Sequence, residues 1–200
     1  ADLAKLSTSA IQALSNNALA GLTTSQVANM GTAQVAALSD VQIKQLSTAN
    51  IQALTSDQAK VLKQAQLGAL TSAQVAALDT VDVAQLTSAQ IRSLGNAALT
   101  GLTTAQVNNL TTAQVAALTA DQLKVLSSNQ VVALSTAQAA VLTSVQVAGL
   151  SPTQISAIQT EDLAAMSNNA LNKLNASQVK SLTTAQVVGL STTQAAGLGK

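Results

Sequence analysis

The chain has 200 residues, 48% of them hydrophobic, 8% charged and none aromatic, with nine basic and eight acidic side chains leaving a net charge of +1. That balance leaves no basic stripe for nucleic acid and no ring to stack on a base, and without Cys or His neither a disulfide framework nor a zinc site can be built. So much hydrophobic content is unlike a disordered polar tract, yet no apolar run approaches the ~20 residues that span a bilayer, so membrane insertion is not expected.

Taken from the start, the chain repeats. Leu6, Leu14, Leu22, Met30, Leu38 and Leu46 fall eight apart, and the series runs on through Ile158 and Met166 to Leu198. A period of this kind is read before any local propensity. With this residue as position 8, position 5 is always aliphatic, as in Ile11, Leu19, Val27, Val35 and Ile43. Position 4 is mostly Gln (Gln26, Gln34, Gln106, Gln114, Gln186), and position 1 is mostly Ser or Thr.

Ser or Thr followed three residues later by Gln is the capping-box pattern, in which hydroxyl and carboxamide each accept a backbone N–H at the start of a helix. Positions 5 and 8, three apart, share one helical face. Each octad therefore predicts a capped helix of about one and a half turns followed by a sharp restart. A continuous helix fits poorly, because residues eight apart drift by roughly 80° per repeat at ~100° per residue. Strands would need alternation with period two, and positions 5 and 8 have opposite parity.

Residues along the chain agree with this frame. Lys5, Lys44, Lys60, Arg92, Lys124, Lys173 and Lys180 occupy positions 6 or 7, whereas Asp2, Asp40, Asp57, Asp79, Asp82, Asp121, Glu161 and Asp162 occupy positions 1 to 4. That segregation is the one helix dipoles favour; Lys63 and Lys200 depart from it. Pro152, the single proline, follows the cap Ser151 at the N1 site where its missing N–H costs nothing. All nine glycines, Gly21, Gly101 and Gly149 among them, stand at positions 6, 7 or 1, around the helix ends where left-handed geometry is tolerated, and the Ala and Gly at positions 6 and 7 are expected to let adjacent coils approach closely.

Helices this short are not stable alone. Neighbouring octads are expected to wind into an all-α solenoid with positions 5 and 8 forming a continuous Leu/Val/Ile spine, two to four octads to the turn. The 200 residues make 25 octads in one uninterrupted solenoid spanning 1–200. A weaker 80-residue period lies over them. DLAKL at 2–6, DVAQL at 82–86 and DLAAM at 162–166 place Asp2, Asp82 and Asp162 in step. SNNALAGL at 15–22 and GNAALTGL at 95–102 follow the same spacing, and SNNALNKL at 167–174 comes one octad early, with Ala18, Ala98 and Ala170 in place of Gln. The chain begins without Met and reads as a processed chain or a slice of a longer one. A second copy placed after Lys200 would continue in register, so stacked subunits are equally expected.

The candidates for chemistry are few. Asp79 and Asp82 stand three apart as an acid/base pair would, but a cap with an Asp-for-Gln capping box accounts for both. Glu161 and Asp162 suit the first turn of a helix. No calcium loop is present, and no serine has a His base to activate it. Thr24, Thr32, Thr48, Thr104 and Thr112 at position 2 form a row that an ice or glycan surface could use. Asn16, Asp40, Gln64 and Ala120 at the same position point instead to an exposed, tolerant site. No catalytic, cofactor or metal residues are therefore assigned, and an enzyme is not expected.

The units at 102–118 and 182–190, built on LTTAQV, resemble the Thr/Ala/Gln-rich octapeptide tracts of very large bacterial surface and secreted proteins, and the resemblance runs through essentially the whole chain. It implies an extracellular or cell-surface setting and carries no functional residues. The expected role is structural: a building block of an extracellular bacterial fibre, self-associating end to end or side by side, with no nucleic-acid partner. The alternative is the repeat stalk or binding arm of a large bacterial adhesin.

The octad frame predicts that Thr111→Val, which removes a cap, lowers stability by about 1 kcal/mol, while Thr112→Val one residue later is nearly silent. Paired thermal melts measure both; equal shifts would place the caps elsewhere.

Overall fold

The Ser or Thr at position 1 starts a helix in nearly every octad. In the computed structural model, which describes residues 3–198, Thr111 is extended (φ −70°, ψ 155°) and its hydroxyl accepts the N–H of Gln114 at 3.2 Å. The helix Thr112–Ala117 follows, and at its end Leu118 is again extended (φ −61°, ψ 142°) while its N–H still reaches the Val115 carbonyl. Two extended residues, positions 8 and 1, turn the chain between successive helices. Among the described residues this produces 24 α-helices of four to six residues after a short 3₁₀ turn at Leu3–Lys5, and no strand. The fold is the all-helical solenoid the octad predicts.

The described residues belong to two compact units, 1–102 and 103–200. The octad register itself continues through the division, since Leu102 closes one octad and Thr103 opens the next. In the first unit each helix packs on the third one along, as Asp40–Gln45 does on Gln64–Ala69, which in turn meets Ser88–Ser93. The second unit repeats the rule: Ala120–Lys124 packs on Ser144–Gly149, and Thr136–Ala140 on Thr160–Ala165.

The spine is formed as the periodicity requires. Ile43, Val75, Val115 and Ile155 at position 5 are fully buried, and Leu46, Leu78, Leu118 and Leu150 at position 8 nearly so. In the middle of each unit this leaves one aliphatic core per coil, continuous with the next. The dipole pattern also holds locally, with Asp40, Asp57 and Asp121 in first turns and Lys44, Lys60 and Lys124 in last turns of the same helices. Lys60 and Asp57 stand 3.7 Å apart, but both are exposed, and such a surface pair contributes little. Lys63, the exception within the described residues, is an N-cap whose N–H is accepted by Gln66 Oε1. Asp2, Gly199 and Lys200 lie outside the described residues.

The glycines serve close approach rather than a left-handed turn. None of the eight described glycines adopts a left-handed conformation, and Gly31 and Gly95 are extended N-caps with φ near −68° and −67°. The helices have no need of a left-handed end: many stop at an extended residue in position 8, such as Leu118, and the others at a residue with negative φ such as Ala53 or Ala133. What several glycines supply is room for the next coil. A Cβ on Gly101 would overlap the Ser72 backbone, and one on Gly149 would stand 2.9 Å from the Ala120 side chain. Gly21, by contrast, has open surroundings, with its nearest neighbour 3.5 Å from such a Cβ.

Gly101→Ala is accordingly expected to destabilise the chain by roughly 1–3 kcal/mol, the cost of overpacking against backbone. Gly21→Ala, also at position 7, is expected to be neutral or to stabilise by up to about 1 kcal/mol. Chemical denaturation of the two variants side by side measures the difference.

Candidate functional site

The Gln at position 4 has two jobs, of which the capping-box pattern shows one. Gln146 Oε1 accepts the N–H of Thr143 at 2.8 Å, and the Thr143 hydroxyl accepts the Gln146 N–H at 3.3 Å. The other end of the same carboxamide points away from its own helix. Gln146 Nε2 donates to the carbonyls of Val115 (3.0 Å) and Leu118 (2.7 Å), 31 and 28 residues earlier, and more distantly to Ala116 at 3.4 Å. These carbonyls lie at the C-terminal end of a helix of the preceding coil, where Val115 also accepts the Leu118 N–H at 3.2 Å. One side chain thus caps the start of its own helix and the end of another.

The arrangement recurs at the same separations in both units. In the first, Gln42 reaches Ile11 and Leu14, Gln66 reaches Val35 and Leu38, and Gln74 reaches Ile43 and Leu46. In the second, Gln138, Gln154, Gln178 and Gln186 do the same, Gln186 at 2.8 Å from Ile155 and 2.7 Å from Ile158. Most of these side chains are buried, and among the described residues no fully buried side-chain nitrogen or oxygen lacks a hydrogen-bond partner. Packing three octads on, together with bonds reaching 28 to 31 residues back, makes one turn between three and four octads. That lies within the expected range. Asn50, shorter by one carbon, keeps a single bond, to Leu22 at 3.0 Å.

Where Gln is replaced, the junction is rewired. Asp162 is buried and can only accept when ionised; it takes a hydrogen bond from Thr136 Oγ1 at 2.7 Å. The helix-end carbonyls near it are served from other positions: Gln159 Nε2 donates to Val132 at 2.9 Å and Asn108 Nδ2 to Ala133 at 3.1 Å. Ala98 and Ala170, both buried, bring no amide at all and close the gap by size. At Ala98 the helix shortens to Asn96–Leu99, and its cap Gly95 lies where a Cβ would stand 3.5 Å from the Gly68 carbonyl.

The residues weighed for chemistry fall into structural places. Asp79 caps its helix, but its carboxylate accepts the N–H of Val81 at 2.9 Å rather than that of Asp82. No reciprocal bond from Asp82 back to Asp79 closes the box, which corrects the full Asp-for-Gln capping box expected there. Asp is a carbon too short to reach back as Gln does. Asp82 is buried beside Val83, while Glu161 is exposed next to the buried Asp162. Thr24, Thr32, Thr48, Thr104 and Thr112 are all exposed at helix starts, as a tolerant first-turn site requires. Among the described residues no three metal-ligating side chains converge, and no helix is long and apolar enough to cross a membrane.

Sequence reasoning missed the Nε2 bonds. The capping box already accounts for Gln at position 4 within its own octad, and with a single Glu in the chain the absence of Glu from that position carries no signal.

A family model described as ALTTAQ repeat matches the chain six times, at residues 1–32, 27–64, 75–112, 83–120, 115–152 and 155–192. No curated protein matches it.

Gln146→Glu should separate the two jobs, since one carboxylate oxygen still caps Thr143 while the other faces the Val115 and Leu118 carbonyls. The loss is expected to be about 1–3 kcal/mol at neutral pH. Burial against carbonyl oxygens raises the folded-state pKa of that Glu above its unfolded value, so the folded state binds the extra proton first. Stability is then regained as pH falls through the raised folded pKa, where the protonated acid can donate. Denaturation at neutral and mildly acidic pH, against the parent, reads this out.

Proposed function

We propose that this chain, which belongs to the ALTTAQ repeat family, is a structural protein: a building block of an extracellular bacterial fibre that self-associates through its solenoid coils. The observation that carries the reading is the glutamine bond from coil to coil. It uses one donor and the same carbonyls at the same separations in each unit, as Gln42 and Gln146 do, so the interface is generic rather than tied to one pair of sequences. An interface of that kind extends by repetition, and repeat arrays gain stability from each neighbour added.

The composition suits the role. Charges make up only 8% of residues and nearly cancel, so copies brought together repel one another weakly. With no Cys the chain has no thiol to oxidise outside the cell. The exposed surface is dominated by Ser, Thr, Ala and Asn, which support lateral or end contacts without a dedicated pocket. Catalysis has no part in this reading.

Electron microscopy of the purified chain at increasing concentration is expected to show fibres of uniform width. Separate particles at every concentration would refute the fibre and turn attention to a stalk that holds some other domain.

A further inference from the structure

Between two glutamines that each donate to the coil before them, the chain places a group that cannot donate. Gln74 Nε2 reaches the carbonyls of Ile43, Lys44 and Leu46, and Gln90 Nε2 reaches those of Lys60 and Leu62. In the octad between them position 4 is Asp82, and the same separations of 31, 30 and 28 residues fall on Ile51, Gln52 and Leu54. Asp82 is only 5% exposed, yet its carboxylate has no hydrogen-bond or ion-pair partner among the described residues. The Gln52 and Leu54 carbonyls accept no hydrogen bond from the described residues either. Lys60, the cation of the helix packed on this one, pairs with Asp57 instead. An ionised carboxylate and a carbonyl are both acceptors, so what joins them must be positive or bring its own hydrogens.

The junction of Asp162, 80 residues on, shows what is missing here. There Thr136 donates to the carboxylate, Gln159 to Val132 and Asn108 to Ala133. The corresponding residues around Asp82 are Ser56, Asp79 and Ala28. Both amides are gone, Ser56 makes no bond to Asp82, and a second carboxylate stands in place of Gln159. Asp79 Oδ1 accepts the Val81 N–H at 2.9 Å, and its other oxygen has no partner among the described residues. Side chains at positions 1 and 4 meet at the helix start, as Thr71 Oγ1 and Gln74 Oε1 do at 3.2 Å, so the register brings the two carboxylates to the same junction.

We propose that this junction is a calcium site, formed by the carboxylates of Asp79 and Asp82 together with the helix-end carbonyls of Gln52 and Leu54 in the preceding coil. Every ligand is a hard oxygen, and two of them bring full negative charge, which suits a divalent cation. Calcium accepts irregular sets of about six to eight oxygens at about 2.3–2.6 Å, with water completing the shell, whereas magnesium demands a near-ideal octahedron. The ion takes the place of the amide nitrogen of Gln74. It supplies the positive partner for carbonyls at the finish of one helix while held at the start of another.

The test uses the 200-residue chain after treatment with a chelator. Isothermal titration with calcium chloride is expected to show one ion per chain, with a dissociation constant of about 0.1–1 mM, the range of weak oxygen sites. Calcium at about ten times that constant should raise the melting temperature by about 3–6 °C, and the same concentration of magnesium should not. Asp82→Gln restores the amide that Gln74 and Gln90 carry, so it should melt above the chelator-treated parent and lose the calcium response. Asp79→Ser keeps a cap but removes one carboxylate, and should weaken calcium binding about tenfold. A parent that gives no heat with calcium, or an equal shift with magnesium, would overturn the site and leave Asp82 to water or to general screening. Calcium binding that survives unchanged in both variants would place the ion elsewhere and overturn the assignment as well.

Discussion

The structure depends on one carboxamide using both of its ends. A short helix presents unpaired N–H groups at its start and unpaired carbonyls at its finish, and in a helix of four to six residues these are most of its backbone polar groups. Burying them unpaired would cost more than the aliphatic spine returns. The Gln at position 4 answers both ends at once, accepting at the start of its own helix through Oε1 and donating to the finish of an earlier one through Nε2. Neutral and satisfied on both sides, it can be buried without the penalty that Glu or Lys would bring.

Because that bond spans a fixed separation, it sets how coils lie on one another within each unit. The helices pack three octads on, and the glutamine reaches back into the octad before that one. Small residues complete the fit: Gly101 against Ser72 and Gly149 against Ala120 allow an approach that a larger side chain would prevent. Hydrophobic burial drives the coils together without direction, and the carboxamide fixes their register. The division of labour suits a position 5 that varies among Val, Ile, Leu and Ala and a position 4 that is Gln in most octads.

The exceptions follow the same logic. Asp162 cannot donate, and Gln159 and Asn108 supply amides to the carbonyls beside it. Ala98 and Ala170 give up the bond, and in the helix of Ala98 the cap Gly95 comes close to the Gly68 carbonyl. Asp162 and Ala98 stand 80 residues from Asp82 and Ala18, whereas Ala170 comes one octad early. A structural role is consistent with this tolerance. Where Gln stands at position 4, one side chain joins its octad to the preceding coil; elsewhere the aliphatic spine and other amides do so.

Local chemistry was legible in the sequence. The spacing of Leu118 and Val115, the Thr111 cap, the N1 proline Pro152 and the alternation of acidic and basic ends each state a preference that can be read within eight residues, although the short helices need their neighbours to persist. Tertiary structure alone decided the partner of Gln Nε2 and the number of octads in a turn. Each of these depends on what lies about 28 residues away, a separation at which the repeated sequence offers near-identical alternatives. The octad specifies a helix and its apolar face, while the neighbour that face meets is settled only when the coils close and the helix-end carbonyls find a donor.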